Sequence, residues 1–172
     1  GVYQIKPPNA PTAFTVQCNM NDGGGTMFMK NAQWDPDITT DKLWADYKAG
    51  FGIVMDNHWL GLEYMHYVSA NRPQSAFMEV FSDIDYKGRW RKYDDFRIDD
   101  EASGYRLTYS GSDPWTQTDA DADPNWIKAI LPIPLGDSMV GLNGTKFSTK
   151  DTDNDGNSTV NCAADFKGGW WY

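Results

Sequence analysis

The stretch NGTKFSTKDTDNDGNSTVNCAADFKGGWWY, Asn143 to Tyr172, carries the most specific pattern in the chain. Its middle, DTDNDGNSTVNC from Asp151 to Cys162, opens like an EF-hand calcium loop, with aspartates at positions one, three and five and glycine at six. The twelfth position breaks the match. An EF-hand has a glutamate there that gives both carboxylate oxygens to the ion, whereas Cys162 offers a soft sulfur that a hard cation does not seek. Three readings are open: a broken EF-hand, a calcium site of another kind, or an acidic turn that binds nothing. The density of Asp151, Asp153 and Asp155 beside Asn154 and Gly156 favours calcium over a solvated turn.

Composition limits what such a loop can serve. The chain has 172 residues, 40% of them hydrophobic, enough for one substantial core with a smaller lobe. A formal charge of −9 argues against nucleic acid or an anionic membrane as partner, because phosphate would be repelled from most faces. Cations, neutral sugars and basic protein surfaces remain. Aromatic residues make up 15% of the chain and include eight tryptophans, which read mostly as core and secondarily as sugar-stacking platforms. No apolar run is long enough to cross a bilayer and no leader precedes Gly1, so the chain reads as a soluble piece, processed or cut.

The two cysteines, Cys18 and Cys162, match no zinc spacing. Either they pair and close almost the whole chain, or each is free or separated from its partner. Two sequons, Asn143-Gly144-Thr145 and Asn157-Ser158-Thr159, lean toward a secreted glycoprotein.

Val2 to Ile5 and Ala13 to Met20 alternate around a proline-rich turn and predict an antiparallel pair, with a further strand over Thr26 to Lys30 after the triple glycine. TTDKLWADYKAGFG predicts a helix with Thr39 or Thr40 as N-cap, Asp41 in its first turn, a core stripe of Leu43, Trp44 and Tyr47, and Gly50 as terminator. A second short helix is expected over Trp59 to Val68, with Leu62, Met65 and His66 on one side. Phe77 to Asp85, a turn at Lys87-Gly88 and resumption at Trp90 predict a hairpin, and a third strand is expected in SGYRLTYSG. Ser112 to Asp137 reads as a long loop with one helical turn at Asn125 to Ile130. The fold class is α+β with antiparallel strands and short helices.

A resemblance covers essentially the whole chain. GVYQI and a lone cysteine, then NDGGGT, LWADYKAGFG, HWLGLE, YDDFRI, YRLTYSG, GDSM, NGTKFSTKDTDNDG and NCAADFKGGWWY come in the order found in fibrinogen C-terminal domains, the globes of fibrinogen chains, ficolins, tenascins and angiopoietins. The resemblance implies an N-terminal subdomain (1–45), a central twisted antiparallel sheet with short helices (46–124) and a loop-rich calcium lobe (125–172). It implies a calcium site that is not an EF-hand, with Asp153 and Asp155 as carboxylate ligands and main-chain carbonyls near Asn157 and Thr159 and waters completing the oxygen shell. Cys162 then resembles the half-cystine that closes this lobe, its partner lying just after WWY, while the partner of Cys18 lies before GVY. Both would fall outside the chain, which reads as truncated at both ends or as having dispensed with the usual pocket. The segment that carries much of the family's ligand pocket also follows WWY, so Asp165, Phe166, Trp170, Trp171 and Tyr172 are the residues near that pocket present here. Three departures are visible: Thr26-Met27 replace a tryptophan, the turn from Asp155 to Cys162 is one residue longer, and Ser112 to Asp137 is longer than in ficolin-like members.

Other constellations read as structural. Asp119, Asp121 and Asp123, between Trp115 and Trp126, suit a mobile acidic loop better than a second cation site or a sugar-binding lip. His58 and His66 have no acid or cysteine at ligand spacing. Glu63, Glu79 and Asp94-Asp95 default to surface charge, since a glycosidase needs two carboxylates facing across a cleft. No nucleophile elbow or phosphate loop is present. The leading expectation is a secreted, non-catalytic module that binds glycans or acetylated groups, with calcium holding the lobe in shape. The alternative is a matrix or signalling module that binds a protein receptor; an enzyme ranks last. Self-association would use a segment outside the chain.

Overall fold

The alternation of Phe14 and Val16 with exposed Thr15 buries one face of a strand, and this pattern sets the first sheet in the computed structural model. The structure describes residues 1–20, 24–32, 39–71, 74–81, 88–115 and 137–172. Strand β1 (Val2–Ile5) pairs antiparallel with β2 (Phe14–Asn19), Ile5 facing Phe14 and Val2 facing Gln17. The other edge of β2 takes β3 (Gly25–Thr26). The strand expected over Thr26 to Lys30 is split: Met27 N–H donates to the Gln17 carbonyl and the Phe28 carbonyl accepts from Leu60, so β4 is only Met29–Lys30.

Helix α1 (Trp44–Ala49) starts later than expected, with Leu43 rather than Thr39 or Thr40 as N-cap. The reason is competition for partners. Leu43 N–H goes to Asp46 Oδ2 at 3.1 Å, Trp44 N–H goes to Asp151 Oδ1 at 2.9 Å, and the Thr40 hydroxyl donates to the Lys167 carbonyl. Asp41, expected in the first turn, lies before the helix and pairs with Lys150 at 2.9 Å. Gly50 ends the helix as expected, at φ 93°, where a Cβ would stand 2.4 Å from the Leu60 carbonyl oxygen.

Trp59 belongs to a strand, not to the second helix. It sits in β6 (His58–Trp59), the middle strand between β4 and β5 (Phe51–Gly52), where it faces Met29 on one side and Phe51 on the other. Gly61, at φ 107°, then turns the chain into α2 (Leu62–Ser69), which buries Leu62 and Met65 and sets His66 Nδ1 2.9 Å from the Ile98 carbonyl.

The hairpin pairs β7 (Ala76–Phe81) with β8 (Gly88–Asp94), Ala76 facing Tyr93 and Phe81 facing Gly88. Its third strand is β11 (Gly111–Trp115), on the free edge of β8, where Pro114 is tolerated. This overturns one expectation in part, since Ser112 to Trp115 are strand rather than loop, while the strand expected in SGYRLTYSG is present but pairs elsewhere. Gly104 at φ 71° and Tyr105 at φ 47° break that segment, and its remainder, β10 (Leu107–Thr108), pairs with β9 (Arg97–Ile98) because Leu107 and Ile98 are both fully buried. The acidic run at Asp119, Asp121 and Asp123 and the helical turn at Asn125 to Ile130 lie outside the described residues, as do Trp34 and Trp126.

Finally β12 (Phe147–Ser148) pairs with β13 (Trp170–Trp171), separated by α3 (Cys162–Asp165). The architecture is α+β, with five small antiparallel sheets and short helices among the described residues. The core is aromatic where the two ends of the chain meet: Phe147 lies 4.9 Å from Trp171, 5.1 Å from Tyr47 and 5.9 Å from Trp59, ring centre to ring centre. Gly169 is required there, because a Cβ would come within 2.7 Å of Tyr47 and 2.8 Å of Phe147.

Candidate functional site

The acidic turn is wound by side chains bonding two residues ahead. Asp153 Oδ1 accepts from Asp155 N–H at 3.2 Å, Asp155 Oδ1 from Asn157 N–H at 2.8 Å, and Asn157 Oδ1 from Thr159 N–H at 3.0 Å. These are successive Asx turns, the local chemistry that takes Asp and Asn out of helices. Asp155 Oδ2 also accepts from Cys162 N–H at 2.9 Å, which ties the turn to the start of α3. That bond, then the one from Asn157, holds the Asp155 carboxyl below its usual range. The Cys162 thiol is held above its own, chiefly by hydrogen bonding to the same carboxylate.

Asp151 and Asn154 hold the turn against the globe. Asp151 Oδ1 accepts from the Thr149 hydroxyl at 2.7 Å as well as from Trp44 N–H. Burial works against its charge, and the bonds from Thr149 and Trp44 outweigh it, so its carboxyl is lowered. Asn154 donates from Nδ2 to the Phe147 carbonyl at 2.8 Å. Asp153, Asp155, Asn157 and Thr159 are thus one continuous turn of oxygen donors. A carboxylate has about four acceptor positions, and the described bonds use three on Asp155, from Asn157 N–H, Cys162 N–H and the Cys162 thiol, and one on Asp153. Among the described residues no group of three or more His, Cys, Asp or Glu side chains is placed to hold a metal. The turn's donors are carboxylate and amide oxygens, the ligand class of a hard cation rather than of a transition metal.

Beside this lobe, the end of the chain and α1 frame a cleft of about 210 Å³ lined chiefly by Met29, Tyr47, Phe51, Trp59, Trp170 and Tyr172. Several of its polar atoms are spent on one another. The Tyr47 hydroxyl donates to the Thr40 carbonyl at 2.7 Å and accepts from Gly169 N–H at 2.9 Å; Tyr172 donates to the Gly168 carbonyl, and Trp59 Nε1 to the Tyr47 carbonyl. What the cleft offers a ligand is ring surface.

The residues expected near a ligand pocket separate. Trp170 and Tyr172 line the cleft. Trp171 is core, 3% exposed, with Nε1 donating to the Tyr105 carbonyl at 2.7 Å. Asp165 is exposed, and Phe166, 73% exposed, stacks on Tyr172 at 5.8 Å and an interplanar angle of 16°. Met29, Tyr47 and Phe51 were not singled out by sequence as site residues; no local spacing links them to Tyr172, and only the pairing of β4 and β5 with β6 brings them to it.

Three of the candidate acids are tied down, and the side chain of Glu79 lies outside those described. Glu63 accepts from the hydroxyls of Tyr67 at 2.8 Å and Tyr105 at 2.5 Å, Asp94 pairs with Lys92 at 2.6 Å, and Asp95 accepts from the Ser110 hydroxyl. His58 is 2% exposed, its Nδ1 3.1 Å from the Asp56 carbonyl.

The family model described as fibrinogen beta and gamma chains, C-terminal globular domain, matches residues 1–172. The chain belongs to the fibrinogen C-terminal domain family. Fibrinogen C-terminal domains are recognition or signalling modules rather than enzymes. This fibrinogen C-terminal domain is 33% identical over 182 residues to mouse fibrinogen C domain-containing protein 1, matching all of this chain and 34% of the relative. It is 33% identical over 177 residues to mouse angiopoietin-related protein 1, again over the whole chain and 31% of the relative. The chain thus spans about a third of the length of these curated relatives. Among solved structures, a lamprey fibrin D-dimer in complex with the peptide Gly-His-Arg-Pro-amide superposes with a TM-score of 0.77 at 27% identity, over 99% of this chain and 52% of that one.

Cys18 in β2 and Cys162 at the start of α3 are half-buried and form no disulfide with each other. Non-reducing peptide mapping is expected to recover no peptide in which the two are cross-linked; such a peptide would require the first sheet and the last lobe to move together.

Proposed function

We propose that this chain is a non-catalytic, extracellular recognition module that binds glycans or acetylated groups beside a calcium-stabilised turn. The observation that carries the ligand reading is exposed Phe166 stacked in parallel on half-buried Tyr172, next to exposed Asp165. A flat aromatic face with one charged neighbour suits the apolar face of a sugar ring and one of its polar groups. A glycan array probed with the chain, with and without calcium, tests it. Binding that needs calcium and is lost in Phe166→Ala is expected; an array with no signal, or one indifferent to Phe166→Ala, would end the reading.

A protein partner is the second reading, favoured by the neighbouring cleft. Its lining is mostly ring surface and several of its polar atoms already have partners, so it suits an apolar side chain better than a polyhydroxylated ring. The peptide bound by the lamprey fibrin fragment makes peptide recognition a natural comparison.

In the calcium reading, Asp153 and Asp155 supply carboxylate oxygens and the main chain near Asn157 and Thr159 supplies carbonyls. Calcium would neutralise the crowded carboxylates and hold the turn's oxygens in place. Two carboxylates suit the affinity of extracellular modules, about 0.1–1 mM. At about 1 mM free calcium and a Kd of about 0.1 mM, binding stabilises the fold by about 1.4 kcal/mol. Thermal unfolding in calcium against excess chelator should show a raised Tm for the parent and no difference for Asp155→Ala. Equal melting of the parent in both, with no heat of calcium binding, would leave only an acidic turn.

A further inference from the structure

We infer that Asn143 and Asn157 both carry N-linked glycans, so that the acidic lobe is a glycosylated face of the globe. The inference rests on the extracellular reading, because the modification is made in the secretory route. Each asparagine starts a sequon closed by threonine, Thr145 and Thr159. The structure adds how their amides are used.

An N-glycan forms when the anomeric carbon of an oligosaccharide moves from a polyprenyl pyrophosphate to Asn Nδ2. The C–O bond to pyrophosphate breaks, the N–C bond forms, one amide proton leaves, and the pyrophosphate departs with the bonding electrons. The product keeps its carbonyl acceptor and one N–H but has a bulky group on nitrogen. A folded site tolerates this when Oδ1 does the local structural work and Nδ2 does none.

Asparagines in this fold divide on that criterion. Asn57, Asn71, Asn154 and Asn161 all donate from Nδ2 to main-chain carbonyls, and Asn9 donates from Nδ2 to Asn71 Oδ1. A glycan on any of these would break a bond of the fold. Asn143 and Asn157 do the opposite. Asn143 is exposed and uses Oδ1 alone, accepting from Tyr109 N–H at 3.1 Å. Asn157 is exposed and also uses Oδ1 alone, accepting from the N–H and the hydroxyl of Thr159, the latter at 2.8 Å. Among the described residues neither Nδ2 has a protein partner. Exposure does not explain the division, since Asn9 and Asn71 are exposed too. Asn143 and Asn157 combine an exposed, unspent nitrogen with a sequon, whereas Asn31, exposed and likewise without a side-chain bond, starts none.

Both also sit on firmly held backbone. The Gly144 carbonyl accepts from Arg106 at 2.6 Å and Gly144 N–H donates to Leu107, while Asn157 lies in the Asx-turn series anchored by Asp155. Substituents there project from fixed points rather than from a frayed end.

The test directs the chain into the secretory route of cultured animal cells with a cleavable leader and reads intact mass before and after peptide N-glycosidase. Digestion in heavy-oxygen water marks each formerly glycosylated asparagine. Two glycans are expected on the parent and one each on Asn143→Asp and Asn157→Asp, substitutions that keep the Oδ1 acceptor and hence the fold. The same readout on protein retained inside the route applies if a variant is not released. An unmodified asparagine at either position in the parent overturns the inference for that position. Because a leader forces entry, bare asparagines would count against the glycans and not against the extracellular reading. That reading fails separately, if the natural protein is found to reside in the cytosol.

Discussion

Replacing Trp171 with alanine is expected to cost about 3–5 kcal/mol, a third or more of a typical domain's stability. The ring is 3% exposed, lies 4.9 Å from Phe147 and 6.2 Å from Trp59, and donates to the Tyr105 carbonyl from Nε1. Alanine would leave a cavity at the one place where the last strand closes on the first helix and would strip a buried carbonyl of its donor. The urea midpoint should fall steeply with the slope of the transition preserved. Trp171→Phe, which refills much of the space without the N–H, should recover most of the loss and remain about 1 kcal/mol short. A midpoint for Trp171→Ala close to the parent's would mean that β13 is peripheral to stability.

Alkaline solution should destabilise the globe unusually fast. Tyr93 and Tyr105 are 1% and 0% exposed, and both hydroxyls donate to carboxylates, Tyr93 to Asp137 at 3.0 Å and Tyr105 to Glu63 at 2.5 Å. Burial first, and the acidic partner second, push both phenols well above the ordinary tyrosine range. In the unfolded chain they ionise near pH 10, so above that pH the folded state holds more protons and stability falls as pH rises. The slope is about 1.4 kcal/mol per pH unit for each, or about 2.7 together; below about pH 9 they contribute no pH dependence. Urea midpoints at pH 9, 10 and 11 should show this decline, and Tyr105→Phe should remove about half of it. Midpoints that hold level from pH 9 to 11 would show that neither phenol stays protonated in the fold.

Sequence reading found what is local. The alternation at Phe14 and Val16, the stop at Gly50 and the pairing of β7 with β8 depend on residues close in sequence and are found as expected, though Gly88, expected in the hairpin's turn, is already in β8 and Lys87 lies outside the described residues. Errors arose where a distant partner outbid a local one. Thr40 is a good N-cap by type, but its hydroxyl is claimed by Lys167, and the first free N–H of the helix is satisfied by Asp151. Trp59 fits a helical stripe, yet two strands compete for it and win. In the site, the acidic turn was legible because its bonds reach only two residues ahead. The cleft was not, because Tyr47 and Phe51 reach Tyr172 only through the fold.

The bond from Trp44 N–H to Asp151 also has a consequence for biosynthesis. Helix α1 has six residues, too few to persist alone in water. Its capping carboxylate is 107 residues further along the chain, and the N–H that Tyr47 receives from Gly169 is 122 residues further. A ribosome adding about 5–20 residues per second reaches Asp151 about 5–20 s after Trp44. For most of that interval Tyr47 and Trp59 have been made while Phe147 and Trp171, the rings that bury them, have not. The nascent amino-terminal half is therefore a client for chaperones, and a message cut short before Asp151 yields a polypeptide whose first helix has no means of closing.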